Sequence, residues 1–93
     1  MQKIKKQRNR YTEDIIEYDP ITGNQTKLIR HRRDGSKLFI KEYHPATSNL
    51  IQAIYFYPNG TKYVYIYDSQ TGRRTKRTIY NKDNTIRHNQ NFN

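Results

Sequence analysis

Short runs of Ile, Tyr, Val and Thr recur along this chain, separated by turn formers, at residues 12–18, 25–33, 36–43, 50–58, 61–67, 74–81 and 85–88. β-branched and aromatic residues in such runs fit a pleated, half-buried surface, so they predict seven short strands. No run has a helical period. Two kinds of turn alternate between them. Asp34-Gly35, Asn59-Gly60 and Asp83-Asn84 form one kind. They predict two-residue type I′ hairpin loops, in which both central positions take positive φ. The other kind is longer: Tyr18-Asp19-Pro20-Ile21-Thr22-Gly23-Asn24 aligns with Tyr43-His44-Pro45-Ala46-Thr47-Ser48-Asn49 and with Tyr67-Asp68-Ser69-Gln70-Thr71-Gly72-Arg73. There an Asp can close an Asx-turn, Pro presets φ, and Gly takes the left-handed exit.

The two landmarks keep one spacing through three copies, which makes the chain a tandem repeat of a hairpin unit about 24 to 25 residues long. Connections of two to five residues force antiparallel neighbours, because a parallel crossover needs a dozen or more. The expected fold is therefore all-β, an antiparallel meander over residues 11–88. Residues 1–10 are read as a flexible basic tail and 89–93 as a disordered one.

Taking the Asp34-Gly35 loop at two residues sets Ile29 opposite Ile40, His31 opposite Leu38 and Lys27 opposite Glu42. The same geometry about Asn59-Gly60 sets Ile54 opposite Tyr65 and Phe56 opposite Tyr63. Ala53, Tyr55, Val64 and Ile66 then fall on the other side. Both faces come out partly apolar, where a solvated single sheet would alternate cleanly. What is expected is either a second layer, from a curled sheet, a second subunit or a partner, or a single-layer sheet whose tyrosines and long basic side chains cover each other.

Composition limits what that sheet can bury. Only 32% of the 93 residues are apolar, although nine tyrosines add bulk that packs while keeping a polar tip. There is no cysteine, hence no disulfide framework or thiolate zinc site. The longest apolar stretch is a few residues, far below the roughly 20 of a membrane-spanning helix. Tyr11-Thr12-Glu13-Asp14 stands where the apolar core of a signal peptide would follow Met1–Arg10, so no secretion signal is read.

The formal net charge is +10, and it is segregated. The first and last copies are basic, whereas the middle copy, Glu42 to Ile66, is neutral and carries Tyr43, Tyr55, Phe56, Tyr57, Tyr63 and Tyr65. Such charge suits a polyanion, with aromatics that could stack on bases. Lys and Arg equally protect edge strands, and the Lys, Asn, Ile and Tyr usage is that of an AT-rich genome.

His31, His44 and His88 each stand alone in sequence, without metal spacing or an orienting carboxylate. Asp19, Asp34, Asp68 and Asp83 fill turn positions. With no glycine-rich phosphate loop or nucleophile elbow, no catalytic, cofactor-binding or metal-ligating residue is assigned, and the chain is read as non-enzymatic.

The repeat resembles a family of phytoplasma proteins built on Tyr-Asp-Pro-x-Thr-Gly units and classed as domain of unknown function 2963. The likeness rests on Tyr18–Gly23, Tyr57-Pro58-Asn59-Gly60 and Tyr67–Gly72, and spans roughly Glu17 to Ile86; the middle copy departs at His44, Ala46 and Ser48. More distantly the unit is similar to the Tyr-Asp repeats of bacterial toxin shells. The resemblance implies a secreted or surface protein of an insect-borne plant pathogen, an effector candidate, and no activity.

Two readings of function result. In the first, an interaction module binds a protein partner, or itself, through Tyr55, Phe56, Tyr63 and Tyr65. In the alternative, Arg30, Arg32, Arg33, Arg73, Arg74 and Arg77 bind nucleic acid or another polyanion.

Overall fold

The structure is a computed structural model that describes residues 3–92. Eight strands form one sheet: β1 (Lys3–Arg8), β2 (Thr12–Tyr18), β3 (Gln25–Arg32), β4 (Lys37–Tyr43), β5 (Leu50–Phe56), β6 (Lys62–Tyr67), β7 (Arg74–Tyr80) and β8 (Ile86–Asn91). Their spatial order is their sequence order, and every neighbouring pair is antiparallel. There is no helix among the described residues.

Seven strands and two tails were expected; most of both tails is strand instead. Residues 1, 2 and 93 lie outside the described residues. β1 has little apolar alternation to advertise it, and its place comes from pairing. Arg8 donates to Glu13 across the ladder at 2.8 and 3.3 Å, and Asn9 accepts the N–H groups of Tyr11 and Thr12 to tie the turn. β8 is exposed along its length and held by polar bonds, Thr78 to Asn89 at 3.0 Å and Arg77 to Gln90 at 2.9 Å. A lysine-rich first strand also suits an edge, where charge discourages further pairing.

The turns line up in two rows along opposite ends of the strands. In the short-turn row the loops at 32–36, 57–61 and 81–85 share one hydrogen-bond pattern, shown by Gly35 N–H to the Arg32 carbonyl and Arg32 N–H to the Ser36 carbonyl. Only the last loop residue has positive φ: Gly35 at 90°, Gly60 at 90°, Asn84 at 69°. These are three-residue loops, a type I turn closed by a left-handed residue, and not the expected type I′. The reason lies in side chains. Asp34, Asn59 and Asp83 each accept the N–H and hydroxyl of Ser36, Thr61 and Thr85 two residues on, which holds the Asp or Asn itself at negative φ.

The extra loop residue moves the register. About Asn59-Gly60 the pairs are Phe56↔Lys62, Tyr55↔Tyr63, Ile54↔Val64 and Ala53↔Tyr65, one position from those expected. A single-residue slip exchanges the faces of one strand relative to the other, so Tyr55, Tyr63 and Tyr65 share a face and Phe56 points the opposite way. In the first hairpin a bulge between Arg30 and His31 restores the expected register, giving Ile29↔Ile40 and Lys27↔Glu42, while His31 meets Lys37 rather than Leu38.

The long-turn row is stitched from copy to copy. Thr22 Oγ1 and Asn24 Nδ2 donate to the Pro45 carbonyl, at 3.0 and 2.9 Å, and Thr47 Oγ1 and Asn49 Nδ2 donate to that of Ser69, at 3.3 and 2.8 Å. The repeated Thr and Asn thus serve the neighbouring copy as well as their own turn.

The two faces differ in chemistry. On one, Ile15, Ile29, Ile40, Ile54, Val64 and Thr78 stand directly opposite one another across six strands, a β-branched row flanked by the pair Lys27–Glu42. Cross-strand pairs of this kind contribute about 0.2–1 kcal/mol each. The other face is aromatic and cationic, and all three buried apolar residues, Ile16, Ala53 and Ile79, belong to it. No second layer covers either face among the described residues. The molecule spans 38 × 36 × 21 Å.

Candidate functional site

The aromatic face is built around one diagonal series that crosses six strands. Asp14 on β2 stands opposite Arg30 on β3 and receives a two-pronged hydrogen bond from it, Nε to Oδ1 at 2.7 Å and Nη2 to Oδ2 at 2.8 Å. The Arg30 guanidinium lies 5.0 Å from the Phe39 ring centroid, and the Lys41 ammonium lies 4.8 Å from the same ring. Phe39 is 6.1 Å from Tyr55, and Tyr55 meets Tyr65 edge-on at 5.8 Å. Arg74 on β7 then covers Tyr65 at 4.2 Å and also approaches Tyr67 and Phe92. Cation and ring attract through the ring quadrupole, by about 0.5–1 kcal/mol at exposed sites.

Period-two alternation explains why these residues gather. Arg30, Phe39, Tyr55 and Tyr63 form one cross-strand row; Leu28, Lys41, Ala53, Tyr65 and Arg77 form the next. Ala53 is fully buried where larger neighbours converge, so a small residue is what lets the rings close over the middle.

Electrostatics on this face are one-sided. Glu13, Glu17 and Glu42 point to the aliphatic face, and the other carboxylates lie in turns. Asp14 is therefore the one carboxylate on the aromatic face among the described strand residues. The Arg30 hydrogen bond holds its carboxyl below the ordinary aspartate range although burial opposes this. Burial pushes the Tyr43 hydroxyl up, and burial with the nearby Tyr67 and Tyr65 hydroxyls does the same for Tyr55. Those hydroxyls are kept in the neutral form.

The expected partner-binding set is brought together except for Phe56. The six arginines do not form one patch. Arg30, Arg74 and Arg77 are on the aromatic face, with Arg30 committed to Asp14 and Arg77 bonded to Gln90. Arg32 donates to the Lys37 and Phe56 carbonyls in the short-turn row, where Arg33 also sits, and Arg73 belongs to the opposite row. Phe39 was expected on the same face as Arg30 but not as a site residue, and Lys41 and Asp14 were not singled out, because their contacts to Phe39 and Arg30 run across strands. Cations lie over the Phe39, Tyr65 and Tyr67 rings, while Tyr55 and Tyr63 meet other rings, so part of the aromatic surface is taken up by guanidinium and ammonium groups.

His31 is opposite Glu13, His44 is in a long turn and His88 is opposite Ile79. No group of three or more His, Cys, Asp or Glu among the described residues is placed to hold a metal ion. No helix among them is long and apolar enough to cross a membrane.

Neither a curated protein nor a solved structure matches the chain. A family profile does, twice, over residues 7–55 and 31–79, and the two matches begin one repeat apart. The chain belongs to the family of proteins of unknown function DUF2963.

Proposed function

We propose that the chain is a non-enzymatic β-repeat interaction module whose aromatic face takes an acidic protein partner. The observation that carries this reading is the series Arg30–Phe39–Tyr55–Tyr65–Arg74 on a face whose one strand carboxylate, Asp14, is already paired. Tyrosine and arginine are the residue types enriched at interface hot spots, and matched charge steers encounter and suppresses wrong partners. Cation-covered rings favour a polypeptide over a stack of bases. AT-rich residue usage and the Tyr-Asp-Pro-x-Thr-Gly turns support a phytoplasma origin, with the partner in the host.

The test is capture from plant or insect extract by the wild type, by Arg74→Glu and by Arg73→Glu. Both substitutions reverse one exposed charge, but only Arg74 touches the aromatic series. An acidic protein held by the wild type and Arg73→Glu, lost from Arg74→Glu and released by salt supports the reading. Equal retention by all three, or material that nuclease removes, overturns it.

A further inference from the structure

The aliphatic face carries a second, separate feature at its short-turn end. Where the β1–β2 turn meets the β3–β4 turn, the surface forms a groove of about 780 Å³. Small-molecule sites commonly measure 300–1,000 Å³. Four guanidinium side chains line it: Arg8 from the end of β1, Arg10 from the first turn, and Arg32 and Arg33 from the second. The lining holds one carboxylate, Glu13, and it is taken by Arg8 at 2.8 Å and approached by Lys6 at 3.9 Å. Asp34, next in the turn, spends its carboxylate on Ser36. The charges of Arg10, Arg32 and Arg33 are left without a carboxylate inside the groove.

Arg32 is also fixed in place. Its two terminal nitrogens are spent on the Lys37 carbonyl at 2.7 Å, the Ser36 hydroxyl and the Phe56 carbonyl, toward β4 and β5, so it lends the groove charge and not free donors. Arg10 lies over the Tyr11 ring at 5.7 Å. The rest of the lining mixes Tyr11, 67% exposed, and Ile15 with the polar Asn9, Thr12 and His31. Fork-shaped guanidinium donors match the oxygens of a phosphoryl group, and a phosphate carries the double charge that several arginines can share.

The geometry points to a binding site for an organic phosphate: a phosphate ester whose dianion is held by Arg10 and Arg33 in the field of Arg32, and whose apolar body packs against Ile15 beside the Arg10–Tyr11 pair. The site is independent of the proposed partner face, being on the opposite side of the sheet. It gathers two of the six arginines that sequence alone suggested for polyanions and adds Arg8 and Arg10, which came from the supposed tail.

Titration with phenyl phosphate, followed by amide NMR shifts and calorimetry at low salt, tests this on the full chain. One saturable site is expected, with shifts confined to residues 8–15 and 31–36 and at least threefold weaker binding of inorganic phosphate. Arg10→Ala/Arg33→Ala should lose tenfold or more in affinity. Lys5→Ala/Arg73→Ala, which removes the same charge at exposed positions elsewhere, should lose less than threefold. Equal loss in both pairs would mean attraction to net charge alone and would overturn the site, as would equal affinity for the two phosphates or shifts spread over the sheet. Far-ultraviolet dichroism confirms that both pairs of substitutions remain folded.

Discussion

The imidazole Nδ1 of His44 accepts the backbone N–H of Thr47 at 3.3 Å, and that of Ala46 at 3.1 Å. In the flanking copies a carboxylate does this work: Asp19 accepts from Ile21 and Thr22, and Asp68 from Gln70 and Thr71. His44 is thus a substitute turn cap in the most aromatic copy. The left-handed exit of that turn is Ser48 at φ 65°, where the other copies have Gly23 and Gly72 at 76°.

Returning the middle turn to the pattern of its neighbours should stabilise the protein. Ser48→Gly relieves a left-handed conformation costing about 1–2 kcal/mol in a residue with a Cβ, partly offset by glycine's unfolded-state entropy. A gain near 1 kcal/mol raises the melting temperature of a domain this size by about 4–8 °C. His44→Asp should raise the urea midpoint further. A double variant no more stable than wild type would show that the turn is not a weak point.

Gly35 and Gly60 share φ 90° but not surroundings. A Cβ on Gly35 meets open space, whereas one on Gly60 falls 2.7 Å from Lys82 Cγ. Gly35→Ala should cost about 1–2 kcal/mol from backbone strain alone. Gly60→Ala should cost more, and adding Lys82→Ala should narrow the difference between the two, Lys82 Cβ at 3.1 Å being all that remains of the contact. Urea unfolding of Gly35→Ala, Gly60→Ala, Lys82→Ala and Gly60→Ala/Lys82→Ala checks this.

Acid should destabilise the fold. Arg30 lowers the pKa of Asp14, Arg8 that of Glu13, the hydroxyls of Ser36 and Thr85 those of Asp34 and Asp83, and the N–H groups of Thr22 and Thr71 those of Asp19 and Asp68. Carboxyls whose pKa is lower folded than unfolded bind more protons when unfolded, so stability rises with pH. Their contribution is complete above the ordinary carboxylate range, roughly pH 4, and is lost as pH falls through the depressed folded values. The urea midpoint should decline most steeply below about pH 4; a midpoint that holds or rises there contradicts the assignment.

Ala53→Leu should be among the most damaging single changes. Its site has no exposure, and its cross-strand neighbours are Lys41 and Tyr65. Overpacking costs about 1–3 kcal/mol. Loss of the tyrosine near-ultraviolet dichroism, with far-ultraviolet signal retained, would locate the damage in the ring series.

The meander was legible because its landmarks are local: a turn's chemistry resides in four to six adjacent residues, and strands of Ile, Tyr and Thr fill the intervals. Register was legible only where a second accident agreed. The first hairpin recovers Ile29↔Ile40 because its bulge offsets the longer loop, whereas the unbulged hairpin from Leu50 to Tyr67 keeps the full one-residue displacement. That displacement turns two strands of tyrosine into one shared face and sends Phe56 to the other. β1 escaped notice, and β8 was read as ending at residue 88 and not at Asn91, because pairing and polar bonds, not apolar pattern, hold them. The arginine groove needs two turns 20 residues apart to be neighbours, which no single window of sequence displays.

Because spatial order follows chain order, each strand pairs only with the strands before and after it. Stability in such an array is nearest-neighbour in form, so folding can begin at one hairpin and spread outward without waiting for distant segments. A whole unit could be duplicated or deleted between equivalent long turns, with Thr and Asn donors meeting the next carbonyl as before. The architecture therefore permits evolution by changing copy number, with new surface gained one hairpin pair at a time and the existing interior left as it was.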